Sequence, residues 1–447
     1  MKIKSIITAL MITLSSSSVW AKVSPVEVQK LGKELTPIGA QVAGNASGAI
    51  PTYEGGLKQN KKANPMRDIF AHEKPLYTIT HKNLDQYKDH LTQGQLALFE
   101  KYPTSYKMPI YPTHRTASYP DNIYHKARKN ASQAQLVDGG NGIVNFDETV
   151  PFAIPKNGLE VIWNHISRFR GGSIQRNLAL IPVEHDGNYV PVKLRAQLTS
   201  PQYLKGGFDA KKDDNILFYY RSSVKSPARL TGNVLLVHET IDQVSQPRMA
   251  WAYNSGQRRV RRAPQAAYDA PSQAAGGLRT SDQVDMYNGA PNKYNWKLLG
   301  KKEIYIPYNS YKLADPQLNY SDIVQPGHIN QDFTRYELHR VWQVEAQLKD
   351  TERHIYSKRT YYIDEDSWQI AIAEHYDNHD LLWRVSEGHA MQFVNANTLW
   401  YASSTNYDLL SGRYLVELNN EESKPFNFGK KAKRKEFTAA AIRRSGR

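Results

Sequence analysis

Between Tyr336 and Leu348 the chain alternates with a period of two. Tyr336, Leu338, Arg340, Trp342, Val344, Ala346 and Leu348 fall on one side, and Glu337, His339, Gln343 and Glu345 on the other. Only a β-strand sends successive side chains to opposite faces, so this stretch excludes an all-helical fold. Runs at His354 to Ile363, Trp368 to Tyr376 and Leu381 to His389 follow, separated by short turns at Asp364 to Ser367 and Asp377 to Asp380. Turns that short join antiparallel neighbours, which predicts a meander. The same signal occurs earlier, at Val190 to Leu198, Ile216 to Arg221, Val234 to Ile241, Met249 to Tyr253 and Arg258 to Arg262, and again at Trp296 to Ile306. About ten strands with few helices predict an α+β, mostly β body on one curved antiparallel sheet.

Helix signals are sparse but specific. Ser24-Pro25-Val26-Glu27 is a capping box with proline at the first helical position, and Thr92 with Gln95 forms a second box. Leu159, Ile162, Trp163, Ile166 and Phe169 share one helical face, ahead of a Gly171-Gly172 stop. Residues 37 to 75, rich in Gly, Pro, Asn and Ala, predict an extended segment over the body or a linker, and 102 to 124 an irregular one. The expected organisation is a signal peptide at 1–21, a helical and irregular segment at 22–150 wrapping the body, a sheet domain at 151–425, and a basic, disordered tail at 426–447.

The first 21 residues combine Lys2 and Lys4, an apolar run from Ile6 to Leu14, and Val19-Trp20-Ala21. That pattern predicts export with cleavage after Ala21, since the run is shorter than the roughly 20 residues of a membrane span. The chain has no cysteine, which removes lipid attachment at a mature N-terminal Cys, disulfides, thiol nucleophiles and Cys-ligated metals. The expected location is the periplasm, not as a lipoprotein. Net charge is +15, of which residues 430–447 supply a concentrated share, from Lys430 to Arg447 with Glu436 the one acid. Outside the cytoplasm that charge points away from nucleic acid and towards a solvated end or transient contact with an anionic membrane surface.

From Met249 to Gly289 an aromatic strand, a basic strand and a small-residue segment follow one another. Trp251 and Tyr253 alternate with Ala250 and Ala252, and Arg258, Arg259, Arg261 and Arg262 flank Val260. Four such charges must meet water or an anion. They read either as an edge strand protected from aggregation or as a rim that binds phosphate or carboxylate. The Ala, Gly and Pro-rich run to Gly277 predicts a mobile flap, with Asp282 and Asp285 placed to pair with those arginines.

This order of segments, ending in Arg279-Thr280-Ser281-Asp282-Gln283-Val284-Asp285, resembles the envelope family called domain-of-unknown-function family 1329, outer-membrane lipoprotein-sorting-like. Similar blocks are Gly300 to Asn309, Arg335 to Trp342 and Arg359 to Trp368, so the resemblance spans roughly residues 75 to 420. It implies a fold like the lipoprotein carriers LolA and LolB: an incomplete, half-open β-barrel with covering helices and an apolar concave face. The chain departs from them in being about twice their length and in lacking the lipidated Cys of LolB.

Catalytic chemistry finds no anchor, because there is no Gly-x-Ser-x-Gly elbow, phosphate-cradling glycine loop or calcium-loop spacing. His375 and His379 are four apart, but across a strand-to-turn junction, and Asp364-Glu365-Asp366 reads as a solvated turn; no metal or cofactor is expected. The expected cavity wall is Trp251, Tyr253, Trp342, Val344, Tyr361, Trp368 and Trp383. The expected rim and lid are the four arginines with Asp282, Asp285, Met286 and Tyr287. The functional expectation is a non-enzymatic carrier of a lipid-like or other hydrophobic molecule, working with an inner-membrane transporter and an outer-membrane barrel. The alternative is an adaptor that docks on an envelope transport system without a ligand.

Overall fold

The computed structural model describes residues 23–419 and 425–445. The proposed cleavage after Ala21 therefore lies outside the described residues. Two antiparallel meanders form the sheet. Ahead of them, β1 (Tyr77–Thr80) pairs with β2 (Lys107–Ile110), and β3 (Gln135–Leu136) pairs with β4 (Ile143–Val144) in a ladder of its own. The first meander runs β5 (Ser173–Val183), β6 (Val192–Thr199), β7 (Ile216–Ser226), β8 (Val234–Thr240), β9 (Met249–Asn254) and β10 (Arg259–Arg262). The second runs β11 (Tyr294–Pro307), β12 (Tyr336–Leu348), β13 (Lys358–Asp364), β14 (Ile370–Tyr376), β15 (Leu382–Phe393), β16 (Thr398–Asp408) and β17 (Tyr414–Leu418). They join where β17 pairs with β5, and β18 (Phe426–Phe428) adds to the other end of β5.

The α+β, antiparallel expectation holds, but the half-open barrel does not. The sheet does not close on itself: among the described residues its order ends at β10, which pairs only with β9, and at β1, which pairs only with β2, with β2 and β11 both on β12. The concave apolar surface a barrel would offer is instead covered by the chain itself. On one face, α4 (Gly158–Ser167) lays Val161, Ile162, Trp163 and Ile166 against Val344, Tyr361, Ile363, Trp368 and Ile370. Asn157 caps this helix by accepting from the Glu160 amide at 3.0 Å, and the Trp163 indole donates to the Gly140 carbonyl at 2.9 Å. On the opposite face β1, β2, α2 (Gln93–Lys101) and α6 (Tyr320–Ile323) bury Leu98, Phe99, Met108 and Ile323 with Tyr336, Leu338, Val385 and Val416. Strands covered on both sides lose their solvent-exposed face, which is why β15 and β16 are buried nearly throughout, polar side chains included.

Both capping boxes form, at α1 (Pro25–Val28) and at α2. Residues 37–75 lie against the sheet turns: the Trp368 indole donates to the Ile38 carbonyl, and the Arg115 guanidinium holds the carbonyls of Gln41 and Val42. Within 102–124, β2 forms, and α3 (Asp121–Gln133) begins after Pro120. Trp368 precedes its strand, at φ +59° in a turn, so β14 starts two residues later than the periodicity predicts.

The basic tail is not a free end. Beyond β18, α7 (Ala439–Ser445) packs Ile442, with Phe437 and Ala432, onto Tyr219, Leu236 and Tyr253. Arg434 pairs with the buried Asp213 at the end of α5 (Ala210–Asp213). Three apolar residues among the lysines and arginines supply the burial that net charge conceals.

The second core contains an ionisable group whose basic partner among the described residues is His389, 4.0 Å away and kept neutral by its own burial. Glu387 is fully buried and accepts from the Tyr336 hydroxyl at 3.1 Å, and burial pushes its carboxyl up to about 8. The folded protein thus holds a proton that the unfolded chain releases near 4.5, so this group's contribution to stability falls as pH rises from about 4.5 to about 8. Glu387→Gln, which mimics the protonated form, should gain on the wild type by roughly 2–4 kcal/mol between pH 5 and pH 9 in urea titrations. An equal difference at both pH values would show that the carboxyl does not titrate in this range.

Candidate functional site

Period-two alternation sets the floor of the site. Ile174, Arg176, Leu178 and Leu180 of β5, Leu194, Ala196 and Leu198 of β6, Phe218, Tyr220 and Ser222 of β7, and Leu235 and Val237 of β8 line one cavity. Its roof is the connection from β10 to β11, residues 263–293, through Ser272, Gln273, Arg279, Val284, Asp285 and Asn288. Trp400, Tyr401, Ser404 and Glu417 close the side. Its volume is about 120 Å³. A second cleft of about 380 Å³ adjoins it, and Leu198 and Phe218 line both.

The run to Gly277, which the composition predicts as a mobile flap, forms the first half of this roof, and the second half is locked. Asp285 accepts from Arg168 and from Arg170, each at 2.8 Å, and from the Trp400 indole at 3.0 Å. These cations hold its carboxyl far below the usual carboxylate range against the opposing effect of burial. Asp282 takes the Arg359 guanidinium at 2.7 Å and His354 at 3.1 Å and is likewise depressed. Gln283 reaches His375 at 2.9 Å, and Met286 and Tyr287 are buried in the core under α4. The first half is held more lightly: Ala275 and Leu278 pack on Leu178, Leu180 and Leu194, and Arg384 donates to the Gly277 carbonyl at 3.0 Å.

The acids therefore pair with other arginines than the basic strand supplies. Arg258, Arg259, Arg261 and Arg262 are exposed on or beside the edge strand β10, and Arg262 lies over Trp251 at 5.7 Å. Trp251 and Tyr253 face α7, on the side away from the cavity. Trp342 stacks on Trp368 at 6.0 Å beneath the Lys301 ammonium, and Val344, Tyr361 and Trp368 are fully buried. Trp383 bonds Asp408 at 3.0 Å, at a half-buried edge. Of the residues singled out from sequence, Asp285 lines the cavity; the seven expected wall residues do not. The floor is built mainly from aliphatic side chains, of which Leu194, Ala196 and Leu198 are legible in the sequence as an alternating strand.

Asp364, Glu365 and Asp366 form no solvated turn either; all three are buried. Arg115 grips Asp366 through two bonds of 2.8 and 2.6 Å, and Arg340 and Lys301 take Glu365. Burial and the neighbouring Asp366 push Asp364 up to about 7. Among the described residues, His339, Asp364 and Asp366 are the group whose ligand atoms approach within 4.8 Å of one another. There Arg115 already supplies the balancing charge, and His339 bonds Glu337 at 3.2 Å. His375 and His379 do not converge: one is buried in β14 and the other lies in the following turn.

Asp285→Asn should cost about 3–5 kcal/mol in chemical denaturation, because it leaves Arg168 and Arg170 buried without their shared carboxylate. A loss below about 1 kcal/mol, the range of an exposed pair, would mean that the junction is hydrated.

No helix among the described residues is long and apolar enough to cross a membrane. Residues 78–443 match the family described as Protein of unknown function (DUF1329). An uncharacterized protein of Pseudomonas aeruginosa is 55% identical over 442 residues, which is 98% of this chain and 97% of that one. A solved putative outer membrane lipoprotein-sorting protein domain from Vibrio parahaemolyticus covers 64% of this chain and 98% of its own, at 13% identity and a TM-score of 0.44. A solved DUF1329 family protein from Desulfovibrio piger covers 60% and 91%, at 12% identity and a TM-score of 0.43. Overlaps that partial carry neither ligand nor activity across. The sequence match extends over most of the chain, which belongs to the DUF1329 family.

Proposed function

We propose that this protein is a periplasmic carrier or accessory protein of the cell envelope that shelters a hydrophobic molecule between the floor of β5–β8 and the roof at residues 263–293. The observation that carries this reading is the roofed, leucine-rich cavity bordering a larger cleft across two side chains, Leu198 and Phe218. At about 120 Å³ the cavity has room for less than one drug-sized guest, so a full guest would also occupy the adjoining cleft or widen the cavity by lifting the lightly held half of the roof. Each methylene a guest buries would contribute ~0.8 kcal/mol. No covalent step belongs to this reading. The signal-like N-terminus favours export, and transfer would use an inner-membrane transporter and an outer-membrane barrel as partners. An adaptor role is the second reading, favoured by the exposed arginines on the free edge β10.

Protein purified from the periplasm and examined by native mass spectrometry with solvent extraction should release an apolar molecule at close to one per chain. Ala196→Phe, which fills the cavity floor, should reduce retention several-fold while the melting temperature stays within about 5 °C. A wild-type protein that is empty as isolated and takes up no apolar probe would favour the adaptor.

A further inference from the structure

The floor of the cavity is largely apolar, but where Arg176 meets the roof and the side wall the charge is out of balance. Arg176 rises from the β5 floor and Arg279 descends from the roof, and both reach the same carboxylate. Arg176 Nη1 lies 3.1 Å from Glu417 Oε1, and Arg279 Nη1 lies 3.6 Å from Oε2. The Arg279 side chain is 5% exposed; its Nε has no hydrogen-bond partner among the described residues, and its Nη2 reaches Ser272 only at 3.5 Å. The Trp400 ring lies 4.6 Å from the Arg176 guanidinium, and the buried Tyr220 hydroxyl is nearby, so neither supplies a counter-charge. A guanidinium has five donors, and leaving them unmet in a buried site is costly.

The surrounding charges do not correct this. Asp285 is already shared by Arg168 and Arg170. Arg248 is matched by Glu239 and by the carbonyls of Ala266 and Asn288. Among the described residues, five guanidiniums thus meet three carboxylates in and beside a cavity whose floor is largely apolar. A neutral guest would leave that excess in place, whereas an anion between Arg176 and Arg279 would neutralise part of it with charge-assisted bonds.

Resting on the carrier reading above, we propose that the guest is an amphiphile whose anionic group, a carboxylate or a phosphate, binds between Arg176 and Arg279. Its chain runs from there past Leu198 and Phe218 towards the adjoining cleft. One arginine belongs to the sheet and the other to the roof, so the anion ties the roof down when the cavity is loaded. Glu417 holds the same two side chains together when it is empty.

Competition against a bound apolar dye tests this with oleate, oleoyl lysophosphatidate and oleyl alcohol, which share one chain and differ in head group. The full mature protein should bind at least one anionic probe about ten-fold or more tighter than the alcohol. The tighter of the two anions identifies the source as carboxylate or phosphate. Arg176→Gln and Arg279→Gln should cut that preference to about two-fold while alcohol binding stays within about two-fold, and Arg279→Lys should keep most of it. Glu417→Gln should strengthen anion binding, an outcome that does not depend on the arginine variants folding. Equal binding of all three probes by the wild type, or an undiminished preference in both glutamine variants, overturns the proposal and leaves the carrier reading standing. Failure to bind any of the three overturns both.

Discussion

The junction at Asp285 is the contact on which the site depends. One carboxylate takes two guanidiniums from the end of α4 and an indole from β16, while the Asp285 backbone carbonyl accepts from His165 at 2.9 Å. It thereby fastens the helix, the sheet and the β10–β11 connection at one point. Burying three charges is justified only when each has its partner, and here the geometry supplies them. With residues 282–288 fixed, the preceding stretch can span the β5–β8 face, and the cavity exists as the space beneath that span.

The same arrangement decides which face of the sheet is available. Over β12–β16, α4 fills one face and α2 with α6 the other, so Tyr361 and Trp368 serve as core. Over β5–β8 the inner side is spanned, among the described residues, by the 263–293 connection and not by an α-helix. The roof crosses it loosely, and α7 seals the outer side against Leu236 and Tyr219. A long sheet thus divides into a packed half and a half with room beneath a strap. The buried acids at 364–366 belong to the packed half, where Arg115, Arg340 and Lys301 convert a turn composition into a charged core.

Legibility followed burial. β12 was recovered residue for residue because its alternation is strong, and β6 to β10 were located within a few residues for the same reason. β5, β16 and β17 were not, because strands buried on both faces carry no period-two contrast. The helix α4 was legible from its apolar stripe and its glycine stop. For the site, Leu194, Ala196 and Leu198 and the Arg279 block were visible, but the pairing of Arg176 with Arg279 and Glu417 joins positions far apart in the chain.

The amino-acid sequence alone determined the antiparallel meander, the capped helices and the absence of thiol chemistry, since these follow from local periodicity, capping geometry and composition. Only the tertiary structure decided that the sheet stays open, that the aromatics become core, and that Asp282 and Asp285 turn to Arg359, Arg168 and Arg170. Which face of a strand is covered, and which cation meets a given carboxylate, depends on segments hundreds of residues away; local patterning sets the faces but not their partners.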